Sequence, residues 1–358
     1  MQAFKDLINW LCQPFILFTV AAATLLVAVH LSALWSKRAL LALAGVFAVF
    51  MIWSFQDPNF YLIMAKADNV PISAMLVLIP FFFWLAMSQA YENDRRIASG
   101  QPPVEGGAGK DRILVWPDLV YTEMLSLILC TVILVVWSIL LKAPIEEAAN
   151  PTNSPNPSKA PWYFLGLQEM LVYFDPWLAG VVFPGLIIVG LMAIPYLDYN
   201  KKGNGYYTFK ERRWEVTTFL FGFVVLWVML IIYGTMLRGP NWNFFGPYET
   251  WDPHKLPALV NVNLSEFIYV KLLETGLPAF WLWREMWGIL LILAYFGVLP
   301  AVLARTVFKR FYANLGFVRF QTLTFLLLAM AALPIKMYLR WIFNLKYIVA
   351  IPEFFFNI

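Results

Sequence analysis

Apolar runs long enough to cross a lipid bilayer recur along the whole chain. A spanning helix needs about 18–20 predominantly apolar residues. Only 13% of the 358 residues are charged, against about 25% in a soluble globular domain. We therefore predict an all-α, polytopic transmembrane protein with about eight spanning helices. The candidate spans are 15–35, 39–55, 70–91, 119–141, 177–197, 217–236, 287–306 and 322–342.

The basic residues fall into two sets when the loops between these spans alternate sides. The larger set comprises Lys37, Arg38, Arg95, Arg96, Lys110, Arg112, Lys201, Lys202, Lys210, Arg212, Arg213, Arg305, Lys309, Arg310 and Arg319. Cytoplasmic loops carry the excess of Lys and Arg, so we expect this set to be cytoplasmic. An even number of spans then places both termini outside, and the first span has no cleavage site and is expected to remain.

Two connections divide the sequence. The Gly/Pro-rich segment 92–117 is typical of a linker, so we predict a three-helix N-terminal membrane part at 1–91 and a second membrane domain at 118–358. The segment 237–284 is too long for a structureless loop, and within it 264–275 is predicted to form a short amphipathic helix at the membrane interface.

The sequence offers few residues that could hold a redox centre. Paired histidines are the usual axial ligands of haem b within a helical bundle, but His30 and His254 fall on opposite sides of the expected topology. Cys12 and Cys130 form no haem-attachment motif and are expected to be free. We therefore expect no haem ligated by this chain and no metal site.

The segment 148–176 combines Pro, Asn and Ser with aromatic residues and Glu169 in one connection. The charge pattern places it on the outer face. Its first half, N-P-T-N-S-P-N-P-S at 150–158, cannot form a helix because of the repeated prolines. From Tyr163 onward the pattern F-L-G-L-Q-E-M-L-V-Y-F predicts a short helix at the membrane surface. Trp and Tyr at such a position are also typical of an aromatic belt.

This segment resembles the C-terminal part of cytochrome b, which is a separate subunit IV in b6f-type complexes. The resemblance rests on N-P-T-N-S-P-N-P-S-K-A-P-W-Y-F followed by I-P-Y-L-D, on W-P-D-L-V at 116–120, on R-G-P-N-W-N-F-F-G-P at 238–247, and on the tail from Pro334 to Val349, which is similar to bacterial versions. It covers about residue 111 to the C-terminus. The three front helices have no recognised counterpart.

The resemblance implies that the loop lines a quinol oxidation site on the positive side of the membrane. The family motif there is most often P-E-W-Y, whereas this chain has Pro161 where the proton-accepting Glu usually stands. Glu169 is the nearest candidate for the missing carboxylate, although it is equally a plain interfacial acid. The resemblance implies that Tyr163 binds and activates the quinol, and that Lys159, Pro161, Trp162 and Phe164 complete the binding residues.

Asp118 corresponds to an acidic residue near the second quinone site in family members. A carboxylate at a helix N-terminus is also stabilised by the helix dipole, so the position has two explanations. The second quinone site and the helix dipole each account for a carboxylate at position 118 by themselves.

The resemblance implies a haem-free subunit of a bacterial inner-membrane quinol:cytochrome c oxidoreductase. Haem b and a [2Fe–2S] cluster are expected in partner subunits, namely a cytochrome b N-terminal subunit and a Rieske protein, with a c-type cytochrome as acceptor and quinol as substrate. The alternative is a non-catalytic membrane scaffold or a transporter subunit. A transporter typically contains interrupted helices or charged residues near the middle of the bilayer.

Overall fold

In the computed structural model the described part of the chain is predominantly helical. The structure describes residues 2–108, 113–141, 148–200 and 205–358. The predicted cytoplasmic charges Lys110, Arg112, Lys201 and Lys202 and the middle of the predicted linker lie outside these ranges. The helices long and apolar enough to span a membrane are Lys37–Ser54, Ala67–Ala98, Val115–Leu140, Leu178–Leu197, Arg213–Leu237, Met286–Arg305 and Lys309–Phe343.

An eighth span requires two helices at the N-terminus to count as one. Gln2–Leu11 and Pro14–Ala28 meet at a bend of 76°. The predicted first span at 15–35 is wrong in its end, because the helix stops at Ala28 and a separate 3-10 turn, Ser32–Trp35, follows. The prediction of a polytopic helical membrane protein is confirmed, and the described ranges contain seven spans, or eight when the bent pair is counted as one span.

Besides the 3-10 turns Trp162–Phe164, Pro240–Trp242 and Pro352–Phe354, the described ranges contain short helices and a small sheet. They are Pro58–Met64, Val104–Ala108, Leu165–Met170, Leu264–Glu266 continued by Phe267–Leu272, Trp281–Arg284, and the antiparallel strands Ala350–Ile351 and Phe356–Asn357. The predicted helix at 264–275 is confirmed over 264–272. Its start is fixed by a capping box, in which the side chains of Asn263 and Glu266 each bond the other's backbone amide.

Local sequence signals explain where several helices begin. The Ser36 hydroxyl accepts a hydrogen bond from the Ala39 amide at 3.2 Å and caps helix Lys37–Ser54. Asp57 caps Pro58–Met64 by accepting from the Asn59 and Phe60 amides, with Pro58 at the first helical position. The third predicted span continues to Ala98 rather than ending at Tyr91, because Glu92, Arg95, Arg96 and Ala98 are good helix formers.

The chain divides into two compact units that do not follow chain order. Unit 1 comprises residues 1–162, 203–225 and 235–254, and unit 2 comprises 163–202, 226–234 and 255–358. The spanning helix Arg213–Leu237 therefore contributes to both. The predicted boundaries at 91 and 117 stay a prediction.

Within unit 1 the front helices pack against the segment around Tyr248. The Tyr248 hydroxyl and the Ser54 hydroxyl lie 2.7 Å apart, and the Tyr248 amide donates to Asn9 Oδ1 at 3.0 Å. The Phe60 ring stacks on Tyr248 with 5.5 Å between centroids. The front helices thus contact a segment 194 residues further along the chain than Ser54.

Within unit 2 the long C-terminal helix is broken once. Gly316 in Lys309–Phe343 has φ 73° and ψ 176°, which separates residues 309–315 from the helix that follows. A positive φ is accessible to glycine and strained for residues with a Cβ. Asn344 ends the helix in the left-handed conformation, with φ 55°.

Candidate functional site

The first half of the loop is held in place within unit 1 by the stretch after helix Arg213–Leu237. Asn156 donates to Asn241 Oδ1 at 3.0 Å, and the Asn241 amide donates to Asn156 Oδ1 at 2.6 Å. Asn241 also donates to the Pro253 carbonyl at 2.9 Å. The two sequence motifs at 150–158 and 238–247 therefore bind each other directly.

Lys159 has two contacts that fix its ammonium group. It donates to the Thr235 carbonyl at 2.8 Å and lies 5.0 Å from the centre of the Trp251 ring. A cation over an indole face is attracted by the ring quadrupole. This predicted quinol-binding residue is therefore engaged with protein groups and anchors the loop just before Pro161.

Close packing leaves no room for a side chain at Gly239 in the same stretch. A Cβ there would lie 2.6 Å from the Phe245 ring and 3.1 Å from Trp251. The backbone at Gly239 can therefore approach these rings only because the residue is glycine. This contact keeps Trp251 beside Lys159.

The aromatic residues of the motif form one turn. Trp162–Phe164 is a 3-10 turn followed directly by helix Leu165–Met170, so the short helix predicted from this pattern is confirmed. Tyr163 and Phe164 are half exposed, at 50% and 52%, and their rings are 4.8 Å apart. Pro161 is exposed as well. The turn therefore presents an aromatic surface to the outside of the chain.

Helix Leu165–Met170 packs within unit 2 against residues 226–234. A Cβ at Gly166 would lie 3.2 Å from Ile231 Cγ1, and one at Gly234 would lie 3.1 Å from the Leu165 carbonyl oxygen. Two glycines thus let the short helix and the spanning helix approach closely. This packing sets the position of every side chain from 165 to 170.

Glu169 is fully buried on this helix, with 0% of its surface exposed. The Tyr173 hydroxyl, also fully buried, donates to Glu169 Oε1 at 3.4 Å. Burying a carboxyl group is unfavourable unless polar partners replace water, and Tyr173 supplies one. Tyr173, which lies in the turn after the helix, was not identified from the sequence.

The C-terminal tail holds the residues after Glu169. Lys346 donates to the Leu171 and Val172 carbonyls at 3.2 and 3.3 Å, and the Tyr347 hydroxyl donates to Asp175 Oδ1 at 3.1 Å. Burial, and then the hydrogen bond to Asp175, raise the pKa of Tyr347. Burial lowers the pKa of Lys346 and the charge of Arg340 adds to this, while Asp175 acts in the opposite direction.

Asp118 lies in unit 1, at the start of helix Val115–Leu140. It is exposed and accepts a hydrogen bond from the Leu114 amide at 3.3 Å. None of the residues of this helix is buried by the described chain. The position fits a helix N-terminus, and its role at a second quinone site stays a prediction.

The two histidines have different surroundings in the described chain. His30 Nδ1 bonds the Leu26 carbonyl at 2.9 Å and its ring meets Phe209 edge-on, while His254 is exposed in a turn. Among the described residues, no group of three or more His, Cys, Asp and Glu is arranged to hold a metal ion.

Taken together, the spans define a multi-pass membrane protein. Residues 148–251 match the family described as cytochrome b (C-terminal)/b6/petD, so the resemblance drawn from the motifs is confirmed over this stretch. The family belongs to bc- and b6f-type electron-transfer complexes. No solved structure matches the chain.

Proposed function

We propose that this protein is a haem-free subunit of a quinol:cytochrome c oxidoreductase and forms part of its quinol oxidation site. The observation that carries the proposal is the family match over 148–251, which contains the whole loop and its binding partners at 238–247. The outward-facing turn Trp162–Phe164 supports it, because an aromatic surface suits a quinone ring.

Tyr163 orients the substrate and the neighbouring rings form the wall of the site. The hydroxyl of the half-exposed Tyr163 donates a hydrogen bond to a quinone oxygen, and Trp162 and Phe164 contact the ring. Pro161 fixes the backbone before the turn, and Lys159 anchors the loop through Thr235 and Trp251. These contacts hold the substrate and carry no electrons.

Glu169 accepts a proton as the quinol is oxidised. Oxidation of one quinol releases two electrons and two protons, and a positioned carboxylate favours proton departure. Glu169 lies six residues after Tyr163, on the helix that follows the aromatic turn. Because Glu169 is fully buried, the proton passes to it from the quinol through water. The Tyr173 hydroxyl keeps the carboxyl group oriented.

Partner subunits supply the redox centres. A cytochrome b N-terminal subunit with haem b and a Rieske protein with a [2Fe–2S] cluster each take one electron, and a c-type cytochrome is the final acceptor. The bare helix Val115–Leu140 offers an apolar surface to a partner or to lipid. Asp118 at its start faces the second quinone site of the complex.

The charge pattern supports a bacterial inner-membrane location with the 148–176 loop and both termini outside. Arg95 and Arg96 in the last turn of helix Ala67–Ala98, and Arg305 and Lys309 on either side of the turn after Met286–Arg305, follow the positive-inside rule. The bent N-terminal pair then acts as the first span. The interfacial position of helix 264–272 belongs to the same topology.

Co-purification tests the proposal against a scaffold or transporter. The full chain, carrying an affinity tag, is purified in mild detergent from its own membranes. We expect the haem b absorbance band and the electron paramagnetic resonance signal of a [2Fe–2S] cluster in the eluate, and neither with a tagged unrelated membrane protein. An intact chain that elutes without haem and without other subunits contradicts the proposal.

A further inference from the structure

A cavity of about 540 Å³ lies where the last two spanning helices meet, entirely within unit 2. Helix Met286–Arg305 ends at one side of it and Lys309–Phe343 begins at the other. The loop 148–176 contributes no residue to the lining of the cavity. Its volume is within the range of about 300–1,000 Å³ that is usual for small-molecule sites.

The cavity combines positive charge with an apolar wall. The charged and polar part of the lining consists of Arg305, Lys309, Tyr312 and Gln321. The apolar part consists of Phe317, Phe320, Pro300, Ala301 and Ala304. A guanidinium and an ammonium group bind phosphate oxygens well. The lining therefore suits a molecule with an anionic head and an apolar remainder.

The two cations have no acidic partner among the described residues. The stretch from Met286 to Pro352 contains seven Lys or Arg and no Asp or Glu. The neighbouring basic residues Arg310 and Arg319 add to the positive potential without lining the cavity. An anion from outside the chain is thus the natural counter-charge.

The break at Gly316 shapes the cavity. Its left-handed φ of 73° separates the short segment 309–315 from the spanning helix. The Tyr312 and Phe320 rings meet edge-on across this break, 5.2 Å apart. Lys309 and Tyr312 on the short segment therefore lie beside the apolar face of the helix that follows.

We propose that this cavity binds the headgroup of an anionic phospholipid, with the acyl chains lying along the two spanning helices. The position at a helix–helix turn is at the level where headgroups lie, and the charge pattern predicts that this turn is cytoplasmic, where basic pockets between spanning helices meet anionic lipid. The aromatic wall distinguishes a lipid from free phosphate. The inference does not depend on the proposed quinol site.

The test compares two double variants of the full chain with the same loss of charge. R305Q/K309Q removes the cations that line the cavity, and R310Q/R319Q removes two that do not. The chain is reconstituted in phosphatidylcholine vesicles, and the association of spin-labelled phosphatidylglycerol is measured against spin-labelled phosphatidylcholine. We expect a preference for phosphatidylglycerol that falls about fivefold for each cation removed from the cavity and is largely kept in the control.

Three outcomes overturn the proposal. They are no preference in the unmodified chain, equal loss in both double variants, and displacement of the labelled phosphatidylglycerol by excess inorganic phosphate, which identifies a free-phosphate site. Circular dichroism of both variants verifies that helix content is unchanged. Retained preference in R310Q/R319Q with loss in R305Q/K309Q supports a specific lipid site.

Discussion

Glu169 is the residue on which the proposed chemistry depends most. Its position on the short helix could be predicted from the apolar pattern of 163–173, but its complete burial could not. Burial follows from packing of Gly166 against Ile231, which is 65 residues away in sequence, and a single sequence does not reveal such a pairing.

Glu169→Gln keeps the shape of the side chain and removes its ability to accept a proton. We expect quinol oxidation by the assembled complex to slow by at least about 100-fold, the usual contribution of a general base. Turnover with quinol and a c-type cytochrome measures this, with haem content verifying assembly. Glu274→Gln, at an exposed position outside the loop, is the matched control, and equal turnover in both variants moves the proton acceptor elsewhere.

Lys336 is a second buried ionisable residue, with 1% of its surface exposed. Its ammonium nitrogen has no hydrogen-bond partner among the described residues and lies about 6 Å from the Phe174 and Tyr347 rings. It is seven residues before the end of Lys309–Phe343, about 10 Å along the helix. The charge is therefore near the helix end and not at its centre.

Lys336→Met should stabilise the protein, because it removes an unsatisfied buried donor and keeps the volume. We expect the free energy of unfolding to rise by about 1–3 kcal/mol, measured as a higher melting temperature in detergent. Lys346→Met is the control and should lower it, since Lys346 donates to two carbonyls. A lower melting temperature for Lys336→Met would show that its ammonium group has a partner in the folded state.

At the scale of elements, the spanning helices were largely predictable because the apolar runs set them directly. The breaks were not, since they depend on local geometry at few residues. The bend between Leu11 and Pro14 and the left-handed Gly316 are examples. In the loop 148–176, too, some features could be predicted from the sequence and others could not. Its turn and helix were predicted, while the Asn156–Asn241 pair across 85 residues was not.

The contribution of the short helix Pro58–Met64 to stability can be tested through its dependence on pH. Burial raises the pKa of its cap Asp57, but the hydrogen bond from Lys5 at 2.5 Å, the Phe60 and Asn59 amides and the charge of Lys5 together hold the pKa below its usual range. The folded state therefore favours the carboxylate. This stability is complete above the unfolded pKa of about 3.9 and is lost as pH falls through the lower, folded value.

Asp57→Asn should lower the free energy of unfolding at pH 7 by about 1–2 kcal/mol. Melting temperatures of the variant and the unmodified chain, followed from pH 7 to below pH 3, are expected to converge in acid as the carboxylate is protonated. A difference that stays constant across this range contradicts the assignment of the low pKa to Asp57.

At the scale of the whole molecule, the front helices belong to the same compact unit as the second motif stretch. Asn9, Ser54 and Phe60 all contact Tyr248, which lies within the family match. No counterpart of these helices was recognised in the sequence. The contact could not be predicted either, because it joins segments about 190 residues apart. The front helices thus support the stretch from Arg238 to Tyr248, in which Asn241 binds Asn156.

The turn Trp162–Phe164 is the part of the chain that we propose contacts quinol. Photolabelling of the purified complex with an azido-quinone, followed by peptide mapping, tests this most directly. We predict adducts on residues 159–171, centred on Tyr163 and Phe164 and suppressed by excess unlabelled quinol. Suppressible adducts confined to positions outside 148–176, with none on the aromatic turn, would contradict the account.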